Sequence, residues 1–370
     1  MTGTASLAPA IVDSGLATHL VRRSRRRRGV LALLGIALLV AVLAGVGLGA
    51  VAISPAQVVA ISAAHLGFDL GVPFEARQEG VLIGIRLPRV LLGIAVGAAL
   101  AAAGALLQGL FRNPLVEPGL LGLTAGGSLG ASTAIVVGGM LGLSFHGLIG
   151  TLLVPVAAFA GALAAGALVA RLARSLDRTG TVLLLLTGIS VNAFAFAGTG
   201  LLTFLATDVQ LRTLAFWNLG SLAGATWREV SIGGPLLAAA AFAALRAAHA
   251  LNLLALGERE AGHLGVDTER LKRRVLIVSA FAAGTATAVA GTIGFVGLVV
   301  PQLVRMAAGP DFRLVIPASL IGGSLLVVVA DLVARTVVVP AELPLGLVTA
   351  LIGAPFFLSL VLNERRRFVA

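Results

Sequence analysis

Long apolar stretches separated by short charged islands dominate the chain. Runs almost free of charge occupy residues 29–53, 90–111, 115–140, 147–170, 180–206, 230–248, 275–304, 314–330 and 343–362. A helix rises 1.5 Å per residue, so about 20 apolar residues cross the roughly 30 Å hydrocarbon core of a bilayer. One run is too long for a single crossing. The uncharged residues between Arg274 and Arg305 would make a helix about 45 Å long. Gly291, Gly294, Gly297 and Pro301 lie within it and favour a turn, so it reads as a hairpin with one shortened leg. The pattern predicts an all-α, polytopic membrane protein of about ten transmembrane helices. It divides the chain into an Arg-rich arm over 1–28, a transmembrane domain over 29–362 with a charged connection at about 250–272, and a tail over 363–370.

Charge then orients the bundle. With the amino terminus in the cytoplasm, ten spans return Arg365, Arg366 and Arg367 to the same side, whereas nine would strand them outside. Of the 27 Lys and Arg residues, only Arg77, Arg86, Arg89, Arg212, Arg228 and Arg335 then face out. That asymmetry satisfies the positive-inside rule. The expectation is a multi-pass protein of the cytoplasmic (inner) membrane with both termini cytoplasmic. Gly93 and Gly97, and Gly122, Gly126 and Gly130, carry the small-residue spacing that lets membrane helices approach closely.

Composition removes several classes of function. Only 12% of residues are charged, about half the share of a soluble domain. The net charge of +11 does not point to nucleic acid, because the arginines sit in short clusters between apolar runs rather than on one solvated face. There is no Cys, hence no disulfide and no thiolate metal site. The sole lysine, Lys272, follows Leu271, so no phosphate-cradling Gly-Lys-Ser/Thr loop exists. His19, His65, His146, His249 and His263 lack ligand spacing, and no catalytic, metal or cofactor site is expected. Gly126-Gly127-Ser128-Leu129-Gly130 matches a nucleophile elbow in letters only, since that motif works at a strand-to-helix turn. Asp331 is taken as the lone carboxylate in or beside the spans. It stands four residues before Arg335, where a helical ion pair suffices. An intramembrane protease is thereby disfavoured, and an ion-coupled secondary transporter remains a distant alternative.

Four segments carry a resemblance. The first is Arg86-Leu87-Pro88-Arg89, a Gly/Ala-rich span, Gln108, and Arg112-Asn113-Pro114-Leu115-Val116-Glu117-Pro118-Gly119. The second is Phe216-Trp217-Asn218-Leu219-Gly220-Ser221, and the third runs from Leu256-Gly257-Glu258 to His263-Leu264-Gly265-Val266. The fourth runs from Gly294-Phe295-Val296-Gly297-Leu298 through Asp331 and Arg335 to Glu342-Leu343-Pro344-Leu345-Gly346 and Gly353-Ala354-Pro355-Phe356-Phe357. Together they resemble the FecCD-type permeases of bacterial ABC importers for ferric siderophores, haem and cobalamin, from about residue 80 to 362. Only the amino-terminal arm departs, being longer and richer in Arg.

The resemblance implies a type II ABC importer permease fold that works as a homodimer. It also implies two cytoplasmic ATPase subunits and an extracytoplasmic substrate-binding protein as partners, with membrane lipid around the bundle. Residue by residue, it implies that Leu256, Gly257, Glu258, Leu264, Gly265 and Val266 couple to the ATPase. Asn113 and Leu115, with Thr179 and Thr181, would form a cytoplasmic gate, and Arg86, Arg89 and Arg335 would dock the binding protein. Where the family commonly has His after Val300-Pro301, this chain has Gln302, which keeps a hydrogen-bonding group but removes a titratable one. The wording around Asp208–Arg212, Phe216–Ser221 and Arg335–Glu342 is most similar to haem permeases. Haem is therefore the expected cargo, with a ferric siderophore or cobalamin as alternatives.

Overall fold

The computed structural model describes residues 13–49, 51–143, 147–173, 181–338 and 341–369, and all its regular elements among them are helical. The fourteen α-helices among the described residues are labelled α1 to α14 in chain order. Among the described residues, eight helical segments are long and apolar enough to cross a membrane. They comprise α1 (Asp13–Gly47), α4 (Leu87–Phe111) with the turns before it, α5 (Leu123–Met140), α6 (Gly147–Ala173), α7 (Thr181–Leu205), α9 (Trp227–Leu254), α11 (Thr268–Ala290) and α13 (Phe312–Thr336). Two shorter apolar helices, α12 (Val296–Ala308) and the Leu345–Leu360 part of α14 (Leu345–Val369), complete the ten predicted spans. The hairpin expected in 275–304 is present: α11 ends at Ala290, Gly291 turns the chain at φ +69°, and α12 runs back.

Several boundaries differ from the predicted ones, each for a local reason. The first span stops at Gly47 rather than 53, where Gly45, Gly47 and Gly49 weaken the helix and Gly49 takes φ +148°. Nor is 28 a structural boundary, because α1 continues unbroken through the arginine run. The second span begins earlier than 90. α3 (Ala76–Val81) and a π-helical turn (Leu82–Arg86) lead into α4 as one 36-residue apolar segment. The third begins later than 115, since Arg112 at φ +49°, Pro114, Pro118 and Gly122 at φ +76° interrupt the backbone until α5. The connection drawn at 250–272 shrinks to 255–267, with α10 (Glu258–His263) inside it. The predicted tail from 363 continues α14. Two helices outside the predicted spans, α2 (Pro55–Ala64) and α8 (Asp208–Leu219), begin at capping boxes whose signatures are Ser54 with Gln57 and Thr207 with Gln210.

α4 forms the axis of the packing. It is buried almost all round, as expected for a helix that is apolar on every face, and α9, α11, α12 and α13 surround it. Small residues allow this. A Cβ on Gly97 would overlap the Gly323 carbonyl of α13, and one on Gly104 would overlap Gly297 of α12. Gly126 and Gly130 of α5 meet Gly161 and Ala157 of α6 in the same way. Helix directions alternate, so the bundle has a basic end, carrying Arg25–Arg28, Arg112, Arg246, Lys272 and Arg305, and an opposite end carrying Arg86, Arg89 and Arg335.

Candidate functional site

Within the bundle, three helix breaks converge. Ser221 after α8 donates its N–H to the Ala290 carbonyl (2.8 Å), and Leu345 at the start of α14 donates to Gly220 (2.9 Å). Gly220, Gly291 and Gly346 pack backbone on backbone there, against Trp217, Leu219 and Thr292. Non-helical backbone inside a membrane protein survives only when its polar groups find protein partners or water. Gln108 illustrates the requirement. Pro301 lacks the N–H that would bond Gly297 four residues earlier, and the buried Gln108 amide donates instead to the Gly297 (3.2 Å) and Leu298 (3.3 Å) carbonyls. On the far side of the same junction, the Ser128 hydroxyl donates to Asn218, and Asn192 of α7 donates to the Gly119 carbonyl at 2.8 Å. Ser128 thus lies inside helix α5 as a structural hydroxyl.

The turn after α4 supplies the predicted gate residues Asn113 and Leu115. The Asn113 side-chain oxygen accepts the Leu115 N–H at 3.0 Å, folding a tight Asx turn that fixes Leu115 half-buried. The structure does not bring the second gate element into view. Thr179 lies outside the described residues, and Thr181 is described only as the first backbone position of α7. Beside the turn, a cavity of about 430 Å³ is lined by Gln108, Arg112, Asn113, Gln302, Arg305 and Phe312 among others. Arg305 donates to Gln108 and lies over the Phe312 ring, while the Gln302 oxygen is buried without a partner.

Asp331 is not the lone carboxylate in or beside the predicted spans: Glu229 and Glu342 directly precede two of them, and Glu117 falls inside 115–140. Glu117 is the one within a span. It is half-buried and accepts the N–H of Phe295, a non-glycine residue held at φ +66° where α12 begins. The signal was a single acid in an otherwise apolar run.

At the basic end the coupling candidates are mostly displayed. Leu256 is 65% and Leu264 is 58% exposed, flanking α10, while Ala261 is fully buried and pins that helix to the bundle. Gly257 at φ +138° and Gly265 at φ +87° make the two turns. Glu258 is held by Lys272 at 2.9 Å. Val266 is less displayed. It packs, half-buried, against the chain's own core. Nearby, Asp311 caps α13 and ties three elements, accepting from Asn252 (2.7 Å), from the Arg313 N–H (2.9 Å) and from Arg27 of α1. Partial burial pushes its carboxyl up, but the Asn252 and Arg313 hydrogen bonds and the Arg27 charge hold it below the usual carboxylate value.

At the opposite end the docking candidates Arg86, Arg89 and Arg335 all have partners within the chain. Arg86 and Arg89 are only 3% and 6% exposed. Arg89 makes a two-sided ion pair with Asp331 (2.9 Å) and Glu342 (2.9 Å). Arg86 donates to the Val46 and Gly47 carbonyls at 2.8 Å and to Val51, and Arg335 donates to Leu48 (3.1 Å) and Gly45. The cause is the end of α1: its last carbonyls have no intrahelical donor and carry the negative end of the helix dipole, so two guanidiniums cap them. These arginines are engaged within the chain, not presented as free cations.

Comparison with known proteins fits this architecture. Residues 37–363 match the FecCD transport family. The chain is 44% identical over 287 residues to the hemin transport system permease HmuU of Yersinia pestis, covering 78% of this chain and 84% of that protein. It is 40% identical over 300 residues to the cobalamin import system permease BtuC of Halobacterium salinarum, covering 81% and 77% respectively. A solved metal-chelate type ABC transporter in an inward-facing conformation superposes with a TM-score of 0.76 at 31% identity, over 91% of this chain and 99% of that one. On helix order, close-packed glycines and sequence alike, the chain belongs to the FecCD transport family.

Proposed function

We propose that this ABC importer permease subunit carries haem across the cytoplasmic membrane as a homodimer, with both termini on the ATPase side. The chain is a transport component rather than an enzyme. The cargo reading is carried by the 44% identity to a hemin permease over most of both chains. Cobalamin is the second reading, favoured by the 40% identity to a cobalamin permease. The basic end is assigned to the cytoplasm because clustered arginines stay on that side. Leu256 and Leu264 then face an ATPase, two apolar side chains flanking the pinned six-residue helix α10. The open flank of α7, with Leu186, Ile189, Phe194 and Phe196 exposed, and the exposed Leu351 and Leu358 of α14 are assigned to the second subunit and the path between the two. A path that binds cargo weakly suits release, which accords with small and apolar residues along these helices. The test is uptake into proteoliposomes containing the permease, its ATPase and its binding protein. ATP-dependent accumulation of haem, with cobalamin excluded, is expected. Accumulation of cobalamin instead would replace the reading.

A further inference from the structure

Near the basic end, α9 and α11 leave a crevice of about 290 Å³ between them, with Leu106 of α4 at its floor. One wall is made short by Ala243, Ala247 and Ala250, four and then three residues apart on one face of α9, and the other by Val275 and Val278 of α11. Arg246 and Arg274 stand at its rim. Both are exposed, and neither has a hydrogen-bond or carboxylate partner among the described residues. The Arg246 guanidinium lies 4.4 Å from the centre of the exposed Phe242 ring, which holds it over the crevice by cation–π attraction. Arg246 is two turns inside the end of α9, about 12 Å along the axis. At 28 residues α9 is about 42 Å long, more than the roughly 30 Å hydrocarbon core, so its end near Arg246 is long enough to reach the headgroup layer.

We infer that this crevice is a binding site for an anionic phospholipid, its phosphate between Arg246 and Arg274 and an acyl chain along the alanine wall. Three observations fit one occupant. The walls are apolar, the rim carries two positive charges without a carboxylate partner among the described residues, and α9 is long enough to bring that rim to the headgroups. Arginine pairs phosphate through a planar fork of donors, and basic pockets between membrane helices select anionic headgroups. A soluble partner would meet the charges but not the apolar floor. The inference is independent of the cargo.

The test is native mass spectrometry on the full chain in detergent, offered phosphatidylglycerol and phosphatidylcholine of the same acyl chains at equal concentration. Retention of phosphatidylglycerol over phosphatidylcholine by about tenfold is expected, falling below about threefold in Arg246→Gln with Arg274→Gln. Arg25→Gln with Arg28→Gln, an equal charge loss on α1, should keep the preference. Ala247→Phe, which fills the crevice and leaves both arginines, should reduce retention of the lipid itself. If the glutamine pair does not fold, Arg246→Lys with Arg274→Lys and Ala247→Phe decide: a weakened preference in the first and reduced retention in the second support the site. Unchanged preference in the glutamine pair would overturn it. So would equal loss in the α1 pair, or thermal stabilisation by inorganic phosphate as large as that by phosphatidylglycerol.

Discussion

The two ends of the bundle treat charge in opposite ways. At the opposite end Arg86, Arg89 and Arg335 turn inward, where Asp331, Glu342 and the last carbonyls of α1 absorb them. At the basic end many cations remain exposed, and the chain displays Leu256 and Leu264 on either side of the short pinned helix α10. One end is closed upon itself and the other is left open. The difference follows from backbone. α1 ends at one side with unpaired carbonyls that need donors, whereas α9 and α11 at the other are joined by a loop whose turns are satisfied locally. Charge count along the sequence sees both ends as arginines near helix termini, and only the partners separate them.

The largest expected effect breaks the closed end. Removing one member of a buried ion pair leaves an uncompensated charge and costs about 3–5 kcal/mol. Asp331→Ala should therefore lower stability in detergent by roughly that amount, read by denaturant unfolding, because Arg89 and Arg335 both lose the shared carboxylate. A loss below about 1 kcal/mol would mean that the cluster is solvated and open. Next in size is the open end. Leu256→Asp with Leu264→Asp should reduce ATPase co-purification by about a hundredfold or more, as two charges enter an apolar cleft, while shifting stability by no more than about 0.5 kcal/mol. Undiminished association would remove the coupling assignment.

A smaller effect sharpens the question of docking. Glu342 is the partly exposed partner of Arg89, and Glu342→Gln should cost no more than about 1 kcal/mol. If Arg89 serves only within the chain, affinity for the extracytoplasmic binding protein should stay within about twofold. A tenfold rise, roughly 1.4 kcal/mol, would mean that Glu342 competes with a partner's carboxylate for Arg89, and would support the docking role.

Most of the helical frame was legible in the sequence because hydrophobic length and loop charge are properties of consecutive residues. The break at Gly291 was visible for the same reason, since no straight helix of that length fits a bilayer. What escaped depends on partners distant in sequence. Gln108 looked like an isolated polar residue until Pro301, almost two hundred positions away, left the Gly297 carbonyl needing a donor. Glu117 sat in a quoted motif without a role until Phe295 was seen to adopt a left-handed backbone beside it. Val266 alternates with exposed neighbours in the sequence, and only the fold of α10 turns it inward. Motif letters located the gate turn correctly as a turn, yet the burial of Arg86 and Arg89 could not be read from their nearness to a helix start.

The smallest expected effect concerns a closed contact at the open end. Asp311 joins α1, α9 and α13 through Arg27, Asn252 and the Arg313 N–H, and its carboxyl is held below the usual value. A depressed carboxylate stabilises the fold fully above its unfolded value, near 4, and that contribution disappears as pH falls through the folded value. Lowering pH from about 6 to about 3 should therefore destabilise the protein, and Asp311 should contribute to the loss. Other carboxylates titrate in the same window, so the informative quantity is a difference. Asp311→Asn retains a helix-capping side chain but cannot titrate, and its stability curve should be flatter than that of the natural chain below about pH 5. Parallel curves would mean that Arg27 and Asn252 hold the neutral form equally well. The tie between α1 and the basic end would then be a matter of shape, not charge.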